Sequence, residues 1–211
     1  MRETIFLPGT REAKATLDTA GDETATAATS AADAVVVACP PHPQHRGHRG
    51  DERLRAVSDA LGERGVDCLR FDYGPWDEGR GELRDARNAV EWARQRYDRV
   101  GLFGFSFGGA IALLAAAEDT VRDDVAAVSA LAPAGQLVVD GHDAVWALDS
   151  VAVPVQVVYA TRDDTAEWED VVEHARERDY ETVEMSADHF FVGQAPKVAT
   201  HVAEFLTRFL D

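Results

Sequence analysis

The stretch GFSFGG, residues 104 to 109, sets a serine between glycines in the pattern Gly-x-Ser-x-Gly. A serine hydroxyl is a poor nucleophile until a base takes its proton, and that base needs an acid to orient it. Ser106 could therefore begin acyl transfer if a histidine and a carboxylate reach it. The plain alternative is a glycine-rich turn whose serine caps a helix. A second stretch, ACPPHPQHRGHRG at residues 38 to 50, offers other chemistry. Cys39, His42, His45 and His48 could ligate zinc in principle. Pro40, Pro41 and Pro43 point instead to a stiff loop that aims backbone groups. Proline fixes φ and donates no N–H, so among residues 40 to 43 only His42 can donate. Prolines on both sides of His42 predict extended backbone, in which the imidazoles need not converge. Within this stretch no acidic partner for a metal ligand is evident nearby before Asp51. The metal reading is the weaker of the two, and neither metal nor cofactor is expected.

These residues must be held by regular elements. TIFL (4 to 7) and AKATLD (13 to 18) read as short strands of a hairpin turned near Pro8-Gly9. Residues 20 to 33 are small, polar and aperiodic, which predicts a mobile surface connection. From residue 34 the pattern is regular. AVVVAC (34 to 39) is the continuous apolar run of a strand buried on both faces. Leu54, Val57 and Leu61 follow at helical spacing, then VDCLRFD (66 to 72) as a strand and a helix over 81 to 98. VGLFGF (100 to 105) is a strand, and SFGGAIALLAAAED is a helix apolar nearly all round, so it should be central. Strands over 125 to 133, 154 to 160 and 180 to 185 alternate with helices over 165 to 178 and 195 to 210. Such alternation predicts right-handed crossovers, a mostly parallel central sheet with helices on both faces, and a single domain over 1–211. Chemistry in such sheets sits at the carboxyl ends of the strands. Residues 134 to 150 are too few for a large lid, so any cap is minimal.

GFSFGG thus falls at a strand-to-helix turn, the context that gives the motif its meaning. There the serine is strained so that its hydroxyl stands clear of the sheet, and Gly104 and Gly108 must be small for strand and helix to approach. From residue 34 onward the chain resembles the α/β-hydrolase superfamily, in its small, nearly lidless serine-hydrolase branch near dienelactone-hydrolase-like proteins and short-chain carboxylesterases. Dienelactone hydrolases proper carry a cysteine nucleophile, and Ser106 departs from them. The resemblance implies the chain order serine, acid, histidine. Members commonly show Gly-x-x-Asp at the acid's turn; Ala160 takes the glycine place, which matches Asp163, with Asp164 as the neighbouring alternative. Members carry their histidine on a loop before the closing helix, often as Asp-His-Phe, which matches His189 in SADHFFVG. His142, His174 and His201 fit this order less well. The oxyanion of acyl transfer needs about two N–H donors. The resemblance places one on Phe107 and the other in the proline loop, on His42 or, failing that, Gln44. His45, Arg46 and His48 are left to loop packing and the pocket rim. Trp76, Trp146 and Phe190 are candidate pocket walls.

Composition bounds the rest. The chain carries 38 acidic and 21 basic residues, a net charge of -17, and only Lys14 and Lys197 are lysines. Nucleic acid would be repelled. Abundant carboxylates with scarce lysine resemble proteins of salt-loving archaea and predict greater activity and stability in molar KCl. Cys39 and Cys68 fall in or at the end of apolar runs and are expected as buried free thiols. No apolar run approaches the ~20 residues of a membrane span, and MRETIFLPGTRE has no signal-peptide character. No membrane partner and a cytoplasmic address are expected; the oligomeric state is left open. The expected activity is cleavage of a small-molecule carboxylic ester, or thioester, through an acyl-enzyme. The rivals are a non-catalytic member of the same fold that binds through its pocket, and a peptide or amide hydrolase.

Overall fold

The computed structural model describes residues 2–9, 11, 13–21 and 32–211. The polar connection expected over 20 to 33 falls mostly outside them. Strands β1 (Arg2–Phe6) and β2 (Lys14–Asp18) form the expected antiparallel hairpin. β3 (Ala34–Cys39), β4 (Asp67–Phe71), β5 (Arg99–Phe105), β6 (Ala127–Leu131), β7 (Val155–Ala160) and β8 (Glu181–Met185) complete a sheet of eight strands in the order β1-β2-β4-β3-β5-β6-β7-β8. β2 joins β4 antiparallel, and every later pairing is parallel. The chain places β4 on one side of β3 and β5 on the other. This reversal opens a crevice at the carboxyl ends of β3 and β5, the usual position of a site in an open α/β sheet.

The strand sequences explain the two-sided burial. In β3, Val35, Val37 and Cys39 enter one core while Ala34, Val36 and Ala38 enter the other, as period-2 alternation requires. Helices α1 (Glu52–Gly62) and α6 (Ala195–Leu210) cover the second face. Helices α2 (Arg80–Arg94), α3 (Phe107–Ala117), α4 (Ala144–Ser150) and α5 (Glu169–Glu177) cover the first. All residues of α3 are buried, as its all-round apolar sequence predicts. This is the α/β-hydrolase architecture. α5 begins at Glu169 rather than near 165, because Asp163 Oδ1 accepts the N–H groups of Thr165 and Ala166 and holds that segment as a turn. The possible cap, 134 to 150, is a turn bridged between Val139 and His142 followed by α4, which packs on α3. No helix among the described residues is long and apolar enough to cross a membrane.

Candidate active site

Ser106 occupies the turn between β5 and α3 with φ 56 and ψ -118. Positive φ is unfavourable for a residue with a Cβ, so the conformation must be held from outside. The Ser106 N–H donates to the Leu131 carbonyl at 2.8 Å, and the Ser106 carbonyl accepts from Gly109, Ala110 and Ala134. The glycines are required sterically. A Cβ at residue 104 would lie 2.0 Å from the Gly108 carbonyl oxygen, and one at residue 108 would lie 2.2 Å from the Cys39 carbonyl oxygen. β5, α3 and the end of β3 meet here through backbone alone.

His189 lies on the loop between β8 and α6 and is only 4% exposed. Its Nε2 is 2.9 Å from Ser106 Oγ, and its Nδ1 is 2.7 Å from Asp163 Oδ2. A carboxylate can only accept, so Nδ1 carries the proton and Nε2 is free to accept from the serine hydroxyl. The Asp163 side chain is fully buried at the end of β7, and its other oxygen is fixed by the Thr165 and Ala166 N–H groups at 2.9 and 3.0 Å. Asp164 is exposed, and among the described residues its side chain reaches only the Thr165 hydroxyl, at 3.4 Å. The structure therefore brings Ser106, His189 and Asp163 into one hydrogen-bonded chain and leaves Asp164 outside it.

The proline loop is not extended throughout, contrary to expectation. Pro43–His45 form a 3-10 turn, in which the His42 carbonyl accepts from His45 and Gly47 at 3.0 Å each. Pro43 at the start of this turn lacks only an N–H that would have had no partner. Residues three apart eclipse in such a turn, so the His42 and His45 rings stack with centroids 4.6 Å apart. Within the turn the Gln44 N–H donates to His42 Nδ1 at 3.2 Å, which commits that donor. Among the described residues neither the His42 nor the Phe107 N–H enters a hydrogen bond. Burial first, then His45, lowers the His42 pKa from its usual value, against a smaller opposing effect of Glu82. The remaining residues of the zinc reading go elsewhere. His48 Nδ1 accepts from the Gly50 N–H, and the Cys39 thiol is buried beside Tyr73, its pKa pushed well above the usual thiol range by burial. Among the described residues no group of three or more His, Cys, Asp or Glu could hold a metal ion.

A cavity of about 390 Å³ opens over Ser106 and His189, with His42, His45, Arg46, Arg53, Phe105 and Phe190 among its walls. Phe190 lines this cavity, and so do the exposed His45 and Arg46. Trp76 stands behind the cavity, its ring 4.6 Å from that of His42 and 5.7 Å from that of Phe107. Trp146 is displaced altogether. Ala144, Ala147 and Leu148 form the buried face of α4, which turns Trp146 away to stack on His142 at 3.8 Å beside a separate cavity of about 500 Å³ between α2, α3 and α4. Asp51, Arg53 and Thr165 also line the site and were not expected there. Thr165 carried a weak signal, two residues after Asp163. Nothing in the sequence links residues 51 and 53 to a loop more than 130 residues away.

The model of the family described as "Dienelactone hydrolase family" matches residues 74–194, a span that contains Ser106, Asp163 and His189. Among curated proteins nothing matches the chain. Solved structures match over nearly their full length. Est1E from Butyrivibrio proteoclasticus superposes with a TM-score of 0.82 at 20% identity, covering 98% of each chain. An α/β serine hydrolase without lid from Xanthomonas campestris gives 0.79 at 22%, covering 98% of this chain and 94% of that one. A dienelactone hydrolase from Anabaena variabilis gives 0.77 at 21%, covering 100% and 99%. At these identities the likeness establishes the fold. The family match, which spans more than half of the sequence, goes further: the chain belongs to the dienelactone hydrolase family, a family of hydrolases.

Proposed function

We propose that the protein is a serine esterase that hydrolyses carboxylic esters or thioesters of small acyl groups through an acyl-enzyme. The observation that carries this reading is the hydrogen-bonded chain from Ser106 Oγ through His189 to Asp163 at the floor of an open cavity. Ser106 attacks the acyl carbonyl while His189 Nε2 takes its proton and passes it to the departing alcohol or thiol. Asp163 holds Nδ1–H and stabilises the imidazolium that forms. The tetrahedral oxyanion is met by the Phe107 N–H, the first of α3, where the helix dipole adds its field, and by the His42 N–H. Water then repeats the sequence on the acyl-serine. Cys39 is no rival nucleophile, because burial keeps its thiol protonated. A cavity of about 390 Å³ favours short acyl chains.

The test is a chain-length series of p-nitrophenyl esters in high KCl, with a fluorophosphonate probe and Ser106→Ala as control. The expected result is fastest turnover on the shortest esters and labelling that vanishes in Ser106→Ala. A wild type that is neither labelled nor active would overturn the reading and leave the cavity as a binding pocket. Amide substrates run in parallel distinguish an esterase from an amidase.

A further inference from the structure

Arg53, the second residue of α1, reaches from that helix into the site. Its backbone N–H and Nε both donate to Asp51 Oδ1, at 2.9 and 3.0 Å, and its Nη2 pairs with Asp51 Oδ2. Nη1 remains, and it donates to the Phe190 carbonyl at 3.0 Å. The guanidinium also lies 4.5 Å from the centroid of the Phe105 ring, a cation–π distance. Phe105 precedes Ser106 in the chain, and its ring is 5.3 Å from that of His189. Asp51 and Arg53 are both mostly buried, at 11% and 15% side-chain exposure. The start of the histidine loop is secured separately, since Arg162 holds Ser186 through its side chain and Ala187 through its backbone N–H. The carbonyl of Phe190, the residue after His189, receives no other hydrogen bond among the described residues.

We propose that Arg53 is a positioning residue for His189, a three-way brace that fixes the histidine loop to the α1 N-terminus and to the residue before the nucleophile. This rests on the esterase reading above. Arginine suits the task because its planar fork can bond a carboxylate on one edge, donate to a carbonyl at another and stack by its face, all at once. Lysine offers a compact charge with three donors but no planar fork or stacking face, so it cannot make all three contacts together. A loosened loop would leave His189 present but misaligned, and errors of about 1 Å in such groups cost on the order of 100-fold.

The experiment compares wild type, Arg53→Met, Arg53→Lys and Asp51→Asn, in ester hydrolysis and in the downfield proton spectrum, where His189 Nδ1–H is observed directly. For Arg53→Met the expected result is a kcat lower by about 10- to 100-fold with KM within about twofold, and a broadened or lost Nδ1–H resonance. Arg53→Lys should recover only part of the loss, and Asp51→Asn, which keeps the helix cap, should show a smaller loss of the same kind. Wild-type kcat and resonance in Arg53→Met overturn the proposal. So does a defect confined to KM that lysine restores, which would mark Arg53 as a substrate-binding charge. If Arg53→Met does not fold, Arg53→Lys and Asp51→Asn carry the same comparison. A wild type without esterase activity sinks the esterase reading alone, because the resonance still reports whether Arg53 holds His189.

Discussion

His42 carries two duties on one residue. Its backbone N–H is the proposed oxyanion donor, while its Nδ1 accepts the Gln44 N–H and so closes the 3-10 turn that aims it. That bond needs an unprotonated Nδ1. The folded pKa lies below the usual histidine value, so the folded state takes up fewer protons than the unfolded chain as pH falls below about 6.5. The turn is therefore intact at neutral pH and weakened as pH falls from about 6.5 through the lowered value, with His45 opposing protonation and Glu82 favouring it. The expected outcome is an acid limb of kcat/KM steeper than one proton can give. His42→Asn, whose Oδ1 can accept the same N–H without titrating, should return it to a one-proton slope; a pH profile between about 4.5 and 8 checks this. At the acid, Asp163→Asn should lower kcat by about 10⁴, because an amide in place of the carboxylate can favour the wrong imidazole tautomer. Asp164→Asn, on an exposed side chain outside the hydrogen-bonded chain, should stay within about twofold in the same assay. Ser106, Asp163 and His189, which hydrogen bonds join in the structure, could be singled out in the sequence because each follows a readable strand in a pattern that the family resemblance marks. Arg53 and Trp146 could not be placed, because their surroundings are set by which face of a helix is buried and by what the fold brings across from another element.

The loop between β4 and α2 shows how an element supports the candidate site without lining its cavity. It carries Tyr73 and Trp76, whose rings pack on Phe107, with Trp76 also against His42. Two fully buried carboxylates anchor it: Asp85 accepts the Gly74 N–H, and Glu82 accepts those of Asp77 and Gly79. Burial pushes the Asp85 pKa up, opposed by the Gly74 N–H and Arg11. Arg11, arriving from the β1–β2 hairpin, is the cation that balances both. Its Nε lies 3.0 Å from Asp85 Oδ1, and its Nη2 lies 3.6 Å from Glu82 Oε1. Arg11→Met would leave two buried carboxylates without their cation, and the expected loss is about 3–5 kcal/mol of stability, read as a lower urea midpoint. The strands and the buried α3 were legible because burial on both faces writes continuous apolar runs. The late start of α5 and the turn at Pro43 were not, since hydrogen bonds from the Thr165 and Gln44 N–H groups to the Asp163 and His42 side chains decide them and helical periodicity carries no trace of those bonds.

At the scale of the molecule, charge sets the behaviour in salt. The net charge is -17, so the folded surface repels itself, and the unfolded chain, being more expanded, repels itself less. Added salt screens this repulsion and favours the compact state. It also screens ion pairs, and the exposed ones, such as Arg80 with Glu78 and Asp140, or Arg122 with Asp119, weaken. Such exposed pairs contribute about 0–1 kcal/mol each, whereas the repulsion is summed over every unpaired carboxylate. The mostly buried pairs that matter most, Arg11 with Asp85 and Arg70 with Asp18, are shielded from screening. Relief of repulsion should therefore exceed the loss of surface pairs. The expected outcome is a melting temperature that rises from dilute buffer to molar KCl, with ester turnover rising alongside it. Calorimetry at graded KCl checks the first and the p-nitrophenyl ester assay the second. A Tm that falls as KCl is added would mean that the ion pairs outweigh the net charge, and would overturn the expectation of adaptation to salt.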